Sequence, residues 1–223
     1  MHIPDGFIDI KTSAAFAAAS ALAVAGAVKG ARRQLSEQSA PLAGLTAVFI
    51  FAVQMLNFPV AAGTSGHLIG AALAMVLVGP YAATLALVVV LIIQAFLFAD
   101  GGLTALGLNI FNMAVISVWV SFAVFMLLKK IFPKTKSWLV IATFVSALIS
   151  VPAAAVGFVI QYAIGANATF SVGAVLNAMV GTHILIGIGE AIITALTVSA
   201  VLASRSDLVF GWDKKNTTLE IRS

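Results

Sequence analysis

The chain reads as seven stretches of nearly continuous apolar residues, separated by short breaks of charge, Gly or Pro. A bilayer core is about 30 Å thick and takes about 20 apolar residues per helix. The stretches fall near 12–30, 41–58, 66–79, 80–98, 105–128, 137–164 and 172–203. The third is short and meets the fourth at Gly79-Pro80, a tight-turn dipeptide, which predicts two short helices or one bent pair. Pro152 lies in the middle of the sixth and predicts a kink there. The pattern predicts an all-α, polytopic membrane helix bundle of about seven transmembrane helices. Residues 1–11 form an N-terminal segment, 12–203 the bundle and 204–223 a tail.

Composition turns that pattern into an exclusion. Of 223 residues, 61% are hydrophobic and 9% charged, against roughly 45–50% and about 25% in soluble domains. Mean hydropathy is +1.12. Too little polar surface exists to coat a water-facing exterior, so a soluble fold is excluded. Disorder and a basic nucleic-acid-binding domain are excluded with it. The absence of cysteine excludes a disulfide scaffold and any thiolate metal site.

The placement of charge says more than its sum. With seven spans, one side collects Lys29, Arg32, Arg33, Lys129, Lys130, Lys134, Lys136, Arg205, Lys214, Lys215 and Arg222; the other holds only Lys11. Lys and Arg favour cytoplasmic loops, so the N-terminus is expected outside and the C-terminus inside. The opening MHIPDGFIDIKTS has no basic region followed by an apolar one, and so is not a signal peptide. Ala17, Ala21 and Ala25 recur every four residues in the first span. Small residues at that spacing let helices approach closely in lipid, either within the bundle or against another membrane subunit.

Ionisable residues inside a membrane are costly and invite a functional reading. The histidines are His2, His67 and His183, and the carboxylates outside the cytoplasmic loops are Asp5, Asp9, Asp100 and Glu190. All but His183 and Glu190 are expected on the outer face. A chain that starts X-His offers its terminal amine, the His2 amide and the His2 imidazole in fused five- and six-membered chelate rings. The amine loses a proton to bind, and the amide proton yields to ions that favour square-planar nitrogen fields, chiefly Cu(II) and Ni(II). His67, in Gly63-Thr64-Ser65-Gly66-His67, is the natural fourth nitrogen. This geometry requires Met1 to be retained, and the Pro4-Asp5-Gly6 turn folds the terminus back. A His at position 2 without any metal role is the alternative. No Cys zinc site is possible, and no carboxylate cluster suits Ca or Mg.

These residues resemble the CbiM/NikM family, the substrate-binding (S) components of energy-coupling-factor transporters for nickel and cobalt. The resemblance rests on Met1-His2-Ile3-Pro4-Asp5-Gly6-Phe7, GTSGHLIG at 63–70, FADGGLTALGLNIFNM at 98–113 and GTHILIGIGEAIIT at 181–194. It covers nearly the whole chain. It implies a metal held in a plane by the Met1 amine, the His2 amide and imidazole, and the His67 imidazole. Ni(II) or Co(II) is then the transported substrate, with no organic cofactor. It also implies a transmembrane coupling subunit and cytoplasmic ATPase subunits as partners, in a prokaryotic inner membrane. Some relatives add a small accessory membrane protein, and a chain ending at Ser223 is expected to carry no such fusion. The Pro4-Asp5 form leans to nickel over cobalt.

Around that site, Asp5, Thr64 and Ser65 are expected either to orient the ligands or to cap loops. Asn109 and Asn112 are expected either to bond near the pocket or to join helices. Asp100 reads as a solvated turn residue, His183 as a buried neutral His bonding across helices, and Glu190 as protonated or paired. Ala17, Ala21 and Ala25 are the expected coupling-subunit contact. Two alternatives stand beside this reading. One is a stand-alone secondary metal transporter or channel. The other is an intramembrane serine protease with a Ser65–His183 dyad.

Overall fold

The computed structural model describes residues 1–34, 40–60 and 64–212. Within them run seven α-helices: α1 (Ile10–Gln34), α2 (Ala40–Gln54), α3 (Ala71–Val78), α4 (Pro80–Leu97), α5 (Leu106–Ile131), α6 (Lys136–Gly165) and α7 (Val172–Ser204). Five of these, all but α2 and α3, are long and apolar enough to cross a membrane. The chain is a polytopic membrane bundle. Lys214, Lys215 and Arg222 of the expected tail lie outside the described residues, as does Gly63.

The second and third apolar stretches are shorter as helices than their hydropathy predicts. At 1.5 Å per residue, the 15 residues of α2 and eight of α3 reach about 22 and 12 Å. Neither spans a bilayer core of about 30 Å. The intervening chain is a small antiparallel hairpin, β1 (Phe58–Val60) with β2 (Thr64–Gly66), in register Phe58 to Gly66 and Val60 to Thr64. Phe58 and Val60 are apolar, but they serve the hairpin and not a longer α2.

Glycines set both ends of α3. Gly70 takes φ 78° at its start and Gly79 φ 81° at its end, values that glycine adopts without steric cost. The Gly79 N–H bonds the Met75 carbonyl. Pro80 then opens α4 at the first helical position, where a missing N–H is harmless. Gly79-Pro80 therefore separates two helices. α3 lies at the centre of the bundle, packed against α2, α4, α5, α6 and α7, and all of its residues but Leu77 are buried.

The most extensive pairing is between α6 and α7. α6 runs unbroken through Pro152, whose ring leaves the Leu148 carbonyl without its helical donor. Gly187 of α7 fits against this spot: a Cβ there would stand 3.3 Å from the Leu148 oxygen and 3.4 Å from Pro152 Cδ. α5 widens into a π-helical turn over Phe111–Ile116, a feature frequent at functional sites.

α1 packs on α4 and α5 through Ser13, Ser20, Ala27 and Ala31, which are buried. Ala17, Ala21 and Ala25 are exposed, so the four-residue alanine row is not this helix's main internal face. Even so, the Ala17 backbone abuts Gly107 of α5 closely enough that a Cβ on Gly107 would fall 2.4 Å from Ala17 Cα.

The two ends of the bundle differ in charge. Lys129 donates to the Gly211 carbonyl at 2.7 Å and Lys136 to the Leu202 carbonyl at 2.9 Å. These gather the ends of α5, α6 and α7, while the N-terminal segment lies at the other end. Gly107→Ala is expected to lower stability by about 1–3 kcal/mol through forced separation of α1 and α5. Gly26→Ala, with nothing within 4 Å of its Cβ, is expected to have little effect. Thermal unfolding in one detergent compares the two.

Candidate metal site

The N-terminal segment is an integral part of the core. Met1, Ile3, Phe7 and Ile8 are buried, and Phe7 packs on Tyr162 of α6 with ring centroids 5.1 Å apart. Asp9 caps α1, accepting from the Thr12 amide at 2.8 Å and the Thr12 hydroxyl at 3.0 Å. The Asp9 amide donates to the Gly165 carbonyl at 2.7 Å, and the Asn167 amide to the Phe7 carbonyl at 3.1 Å. The loop between α6 and α7 thus grips the segment from one side.

The loop between α4 and α5 grips it from the other. Asn109 accepts from the Ile3 amide at 2.8 Å and donates to the Ile3 carbonyl at 3.2 Å. The same carbonyl accepts from the Gly102 amide at 2.9 Å. Asp5 accepts from the Thr104 amide at 2.7 Å and its hydroxyl at 2.5 Å. Gly102 leaves room for this approach, since a Cβ there would meet the Asp5 amide nitrogen at 2.4 Å. Hydrogen bonds from Thr104 hold the Asp5 carboxyl below its ordinary range.

Held this way, the segment delivers the Met1 amine, His2 and His67 to one buried place. The His2 and His67 rings stack with centroids 4.7 Å apart and planes 28° from parallel. The Met1 amine is fully enclosed, and burial lowers its pKa from 8.0 to about 4, so it stands as a free base at neutral pH. Burial likewise lowers His2, and lowers His67 well below the ordinary 6.5. The amine donates to Ser65 Oγ at 3.5 Å.

Both rings keep lone pairs to offer. His67 Nδ1 lies 2.8 Å from the Leu68 carbonyl, which accepts only, so Nδ1 carries the proton and Nε2 the free pair. That Nε2 has no hydrogen-bonding partner, and neither does either nitrogen of His2. Asp100 Oδ1 lies 3.1 Å from His2 Nδ1 but off the line of a ring hydrogen bond. Asp100 is in turn bonded by Asn57 at 3.0 Å. Beside these groups opens a cleft of about 540 Å³, lined by His2, Asp5, Asn57, Ser65, Asp100 and Gly101 among others.

The structure sorts the remaining sequence-predicted residues. Asn109 belongs to the N-terminal clamp. Asn112 does not reach the pocket; it sits in the π-helical turn and donates to Gln161 of α6 at 2.7 Å, a helix-to-helix contact. The Thr64 side chain lies outside the described residues. His183 is buried on α7 and donates from Nδ1 to the Met179 carbonyl of its own helix at 2.6 Å, not across helices as expected. Its Nε2 has no hydrogen-bonding partner, so the Ser65–His183 dyad is not formed. Asp100 is more than a solvated turn residue, since it touches His2. Glu190 is paired with backbone: it accepts from the Ile69 amide at 2.6 Å and the Gly70 amide at 3.0 Å.

The fold is a multi-pass membrane bundle whose buried N-terminal segment brings His2 to the wall of an open cleft. Comparison with known proteins agrees with that class. The CbiM family, the cobalt uptake substrate-specific transmembrane region, matches residues 2–208. A provisionally named metal transport protein of Haloquadratum walsbyi is 40% identical over 94% of both chains. A provisionally named fused nickel transport protein, NikMN, of Archaeoglobus fulgidus is 39% identical over 94% of this chain and 68% of its own. A crystal structure of a truncated transition metal transporter superposes with TM-score 0.80 at 32% identity, covering 91% of this chain and 99% of that one. The chain belongs to the CbiM family: it is a substrate-specific transmembrane component of a cobalt or nickel uptake transporter, and not an enzyme.

Asn109→Ala removes both bonds to buried Ile3 and is expected to cost about 1–3 kcal/mol. Hydrogen exchange should show lost protection at the Ile3 and Gly102 amides, with α6 and α7 unchanged.

Proposed function

We propose that the chain captures Ni(II) or Co(II) at its outer face in a planar set of four nitrogens: the Met1 amine, the His2 amide, the His2 imidazole and the His67 imidazole. One observation carries this reading: a buried amine, uncharged at neutral pH, shares its enclosure with two imidazoles, and neither His2 Nε2 nor His67 Nε2 has a hydrogen-bonding partner. Buried polar groups are ordinarily satisfied, and unpartnered imidazole nitrogens beside a free-base amine suit a ligand that accepts their lone pairs. The basic end of the bundle faces the cytoplasm by the positive-inside rule, which turns the cleft outward. Residues 1–11 are then the metal-binding segment, 12–203 the membrane bundle and 204–223 a cytoplasmic tail.

The ion approaches through the cleft past Asp100. In the fused chelate the His2 ring binds through Nδ1, so capture replaces the Asp100 contact at that atom. A square of nitrogens without thiolate or carboxylate ligands disfavours Mg, Ca and Zn by geometry and donor type. Release requires the square to break, either at the N-terminal segment or at the loop bearing His67. The energy comes from partners: a transmembrane coupling subunit, cytoplasmic ATPase subunits and, in some assemblies, a small accessory membrane protein. The fused nickel transport relative supports association with further components. The exposed Ala21 and Ala25, with Ala17, are offered as the coupling-subunit contact in a prokaryotic inner membrane. Nickel is favoured over cobalt by Pro4-Asp5.

Adding one residue ahead of Met1, or making His2→Ala or His67→Ala, is expected to abolish the visible band of square-planar, nitrogen-ligated Ni(II) in the purified chain. Retention of the band in all three would overturn the reading. Ser65→Ala is expected to leave the band in place.

The lowered amine pKa sharpens the pH dependence. An exposed amine and an amide would release about two protons per ion. Here the docked amine is neutral from about pH 4 upward, and both imidazoles titrate below 6.5. The amide then supplies the one proton displaced. Between pH 7 and pH 8, affinity should rise by about one decade per unit rather than two, with about one proton released per ion. Calorimetry in buffers of differing ionisation enthalpy counts it. Docking itself weakens as pH falls from 8.0 towards about 4, because the undocked amine binds the proton more strongly than the docked one.

A further inference from the structure

We propose that Glu190 is the positioning residue for His67, tying the metal-facing loop to helix α7; this rests on the four-nitrogen reading above. Glu190 is buried, and among the described residues no cation pairs with it. A carboxylate in a bundle interior is costly, and both of its oxygens are committed to one short piece of backbone. They accept from the Ile69 amide at 2.6 Å and the Gly70 amide at 3.0 Å, two and three residues beyond His67.

The same peptide is held from the opposite side. Gln54, the last residue of α2, donates to the Ile69 carbonyl at 2.7 Å. Gly70 has no slack, since it takes φ 78° and a Cβ there would stand 2.8 Å from Ile50. From this fixed point the linkage is short. The Leu68 carbonyl accepts from His67 Nδ1 at 2.8 Å and so sets the direction of Nε2. A displacement of α7 relative to α2 therefore acts on Ile69, and through Leu68 on the one ligand contributed from outside the N-terminal segment. Glu190 holds His67 in the square while α7 is in place and draws it out when α7 moves.

The test uses the full chain in detergent, with the wild type, Glu190→Gln, Glu190→Ala and the control Ser146→Ala, titrated with Ni(II). Ser146 is also buried, but its hydroxyl bonds only its own helix, at the Ala142 carbonyl, 2.6 Å away. Glu190→Gln keeps the volume and one acceptor, and is expected to weaken binding about 10-fold. Glu190→Ala is expected to weaken it about 100-fold, as losses of ligand-orienting groups do. Both should displace the visible Ni(II) band while circular dichroism stays unchanged, whereas Ser146→Ala should match wild type. If folded Glu190→Ala and Glu190→Gln both keep wild-type affinity and band, the positioning role is overturned. Should the alanine variant not fold, the glutamine variant decides alone. A wild-type chain without the band would instead overturn the four-nitrogen site, so the two failures are distinct.

Discussion

The structure depends on burial of the terminal amine. Moving that pKa from 8.0 to about 4 corresponds to about 5 kcal/mol of preference for the free base over the cation. The opposing force is visible in the same few residues. Met1, Ile3, Phe7 and Ile8 are all buried, at roughly 1.5–3 kcal/mol each. This exceeds the cost of docking the amine as its free base at pH 7, about 1.4 kcal/mol. Apolar side chains alternating with polar backbone carry the terminus inward, and the Asn109 and Asp5 clamps fix its register. Sequence thus produces an unusual electrostatic state: an amine that is a ready base in neutral water because the side chains beside it are hydrophobic.

That state explains why the flanking loops are rich in glycine. A Cβ on Gly101 would meet His2 Cδ2 and Asn109 Nδ2 at 3.0 Å, and one on Gly102 would meet the Asp5 backbone. The backbone of this one loop thus packs directly against the segment that carries the amine. The π-helical turn of α5 and the Asn112–Gln161 bond lie just below. They place Asn109, one turn earlier, where it reaches Ile3. Packing, backbone conformation and protonation state are consequences of one insertion.

Much of this was legible in the sequence, and the parts that were not share a cause. Hydropathy located the five long helices within a few residues, because a membrane span is a statement about composition over length. It overextended α2 because Phe58 is as apolar as any helix residue and only pairing shows that it forms a hairpin. It overextended α3 because Leu68 and Ile69 are apolar, although the Ile69 backbone is held by Glu190 and Gln54 instead. Met1, His2 and His67 could be grouped from chelate chemistry and resemblance. Asp100, Asn57, Gln54 and Glu190 could not be given partners, since each acts across 15 to 121 residues of chain, with no periodicity to mark it. Asn112 could be read either towards the pocket or as a helix contact, because residues three apart on a regular helix share a face, here with Asn109. The π-helical turn that begins at Phe111 alters that spacing, and Asn112 bonds Gln161 of α6. A better signal lay in Glu190 itself: a lone carboxylate deep in an apolar span must have donors, and in a bundle without a nearby cation those donors are backbone amides.

The two halves of the candidate site are anchored to different parts of the bundle, and this bears on transport. Met1 and His2 hang from the loops between α4 and α5 and between α6 and α7. His67 hangs from α2 and α7 through the Ile69 peptide. A square assembled from one rigid element would bind well and release poorly. One assembled from two anchor systems stays tight while they keep register and opens when they slide, because planar coordination tolerates little displacement of a single nitrogen. Rigid packing of α3 at the centre makes small relative shifts of the surrounding helices discrete rather than graded. On the four-nitrogen reading proposed above, capture and release use the same donors, and helix register decides between them.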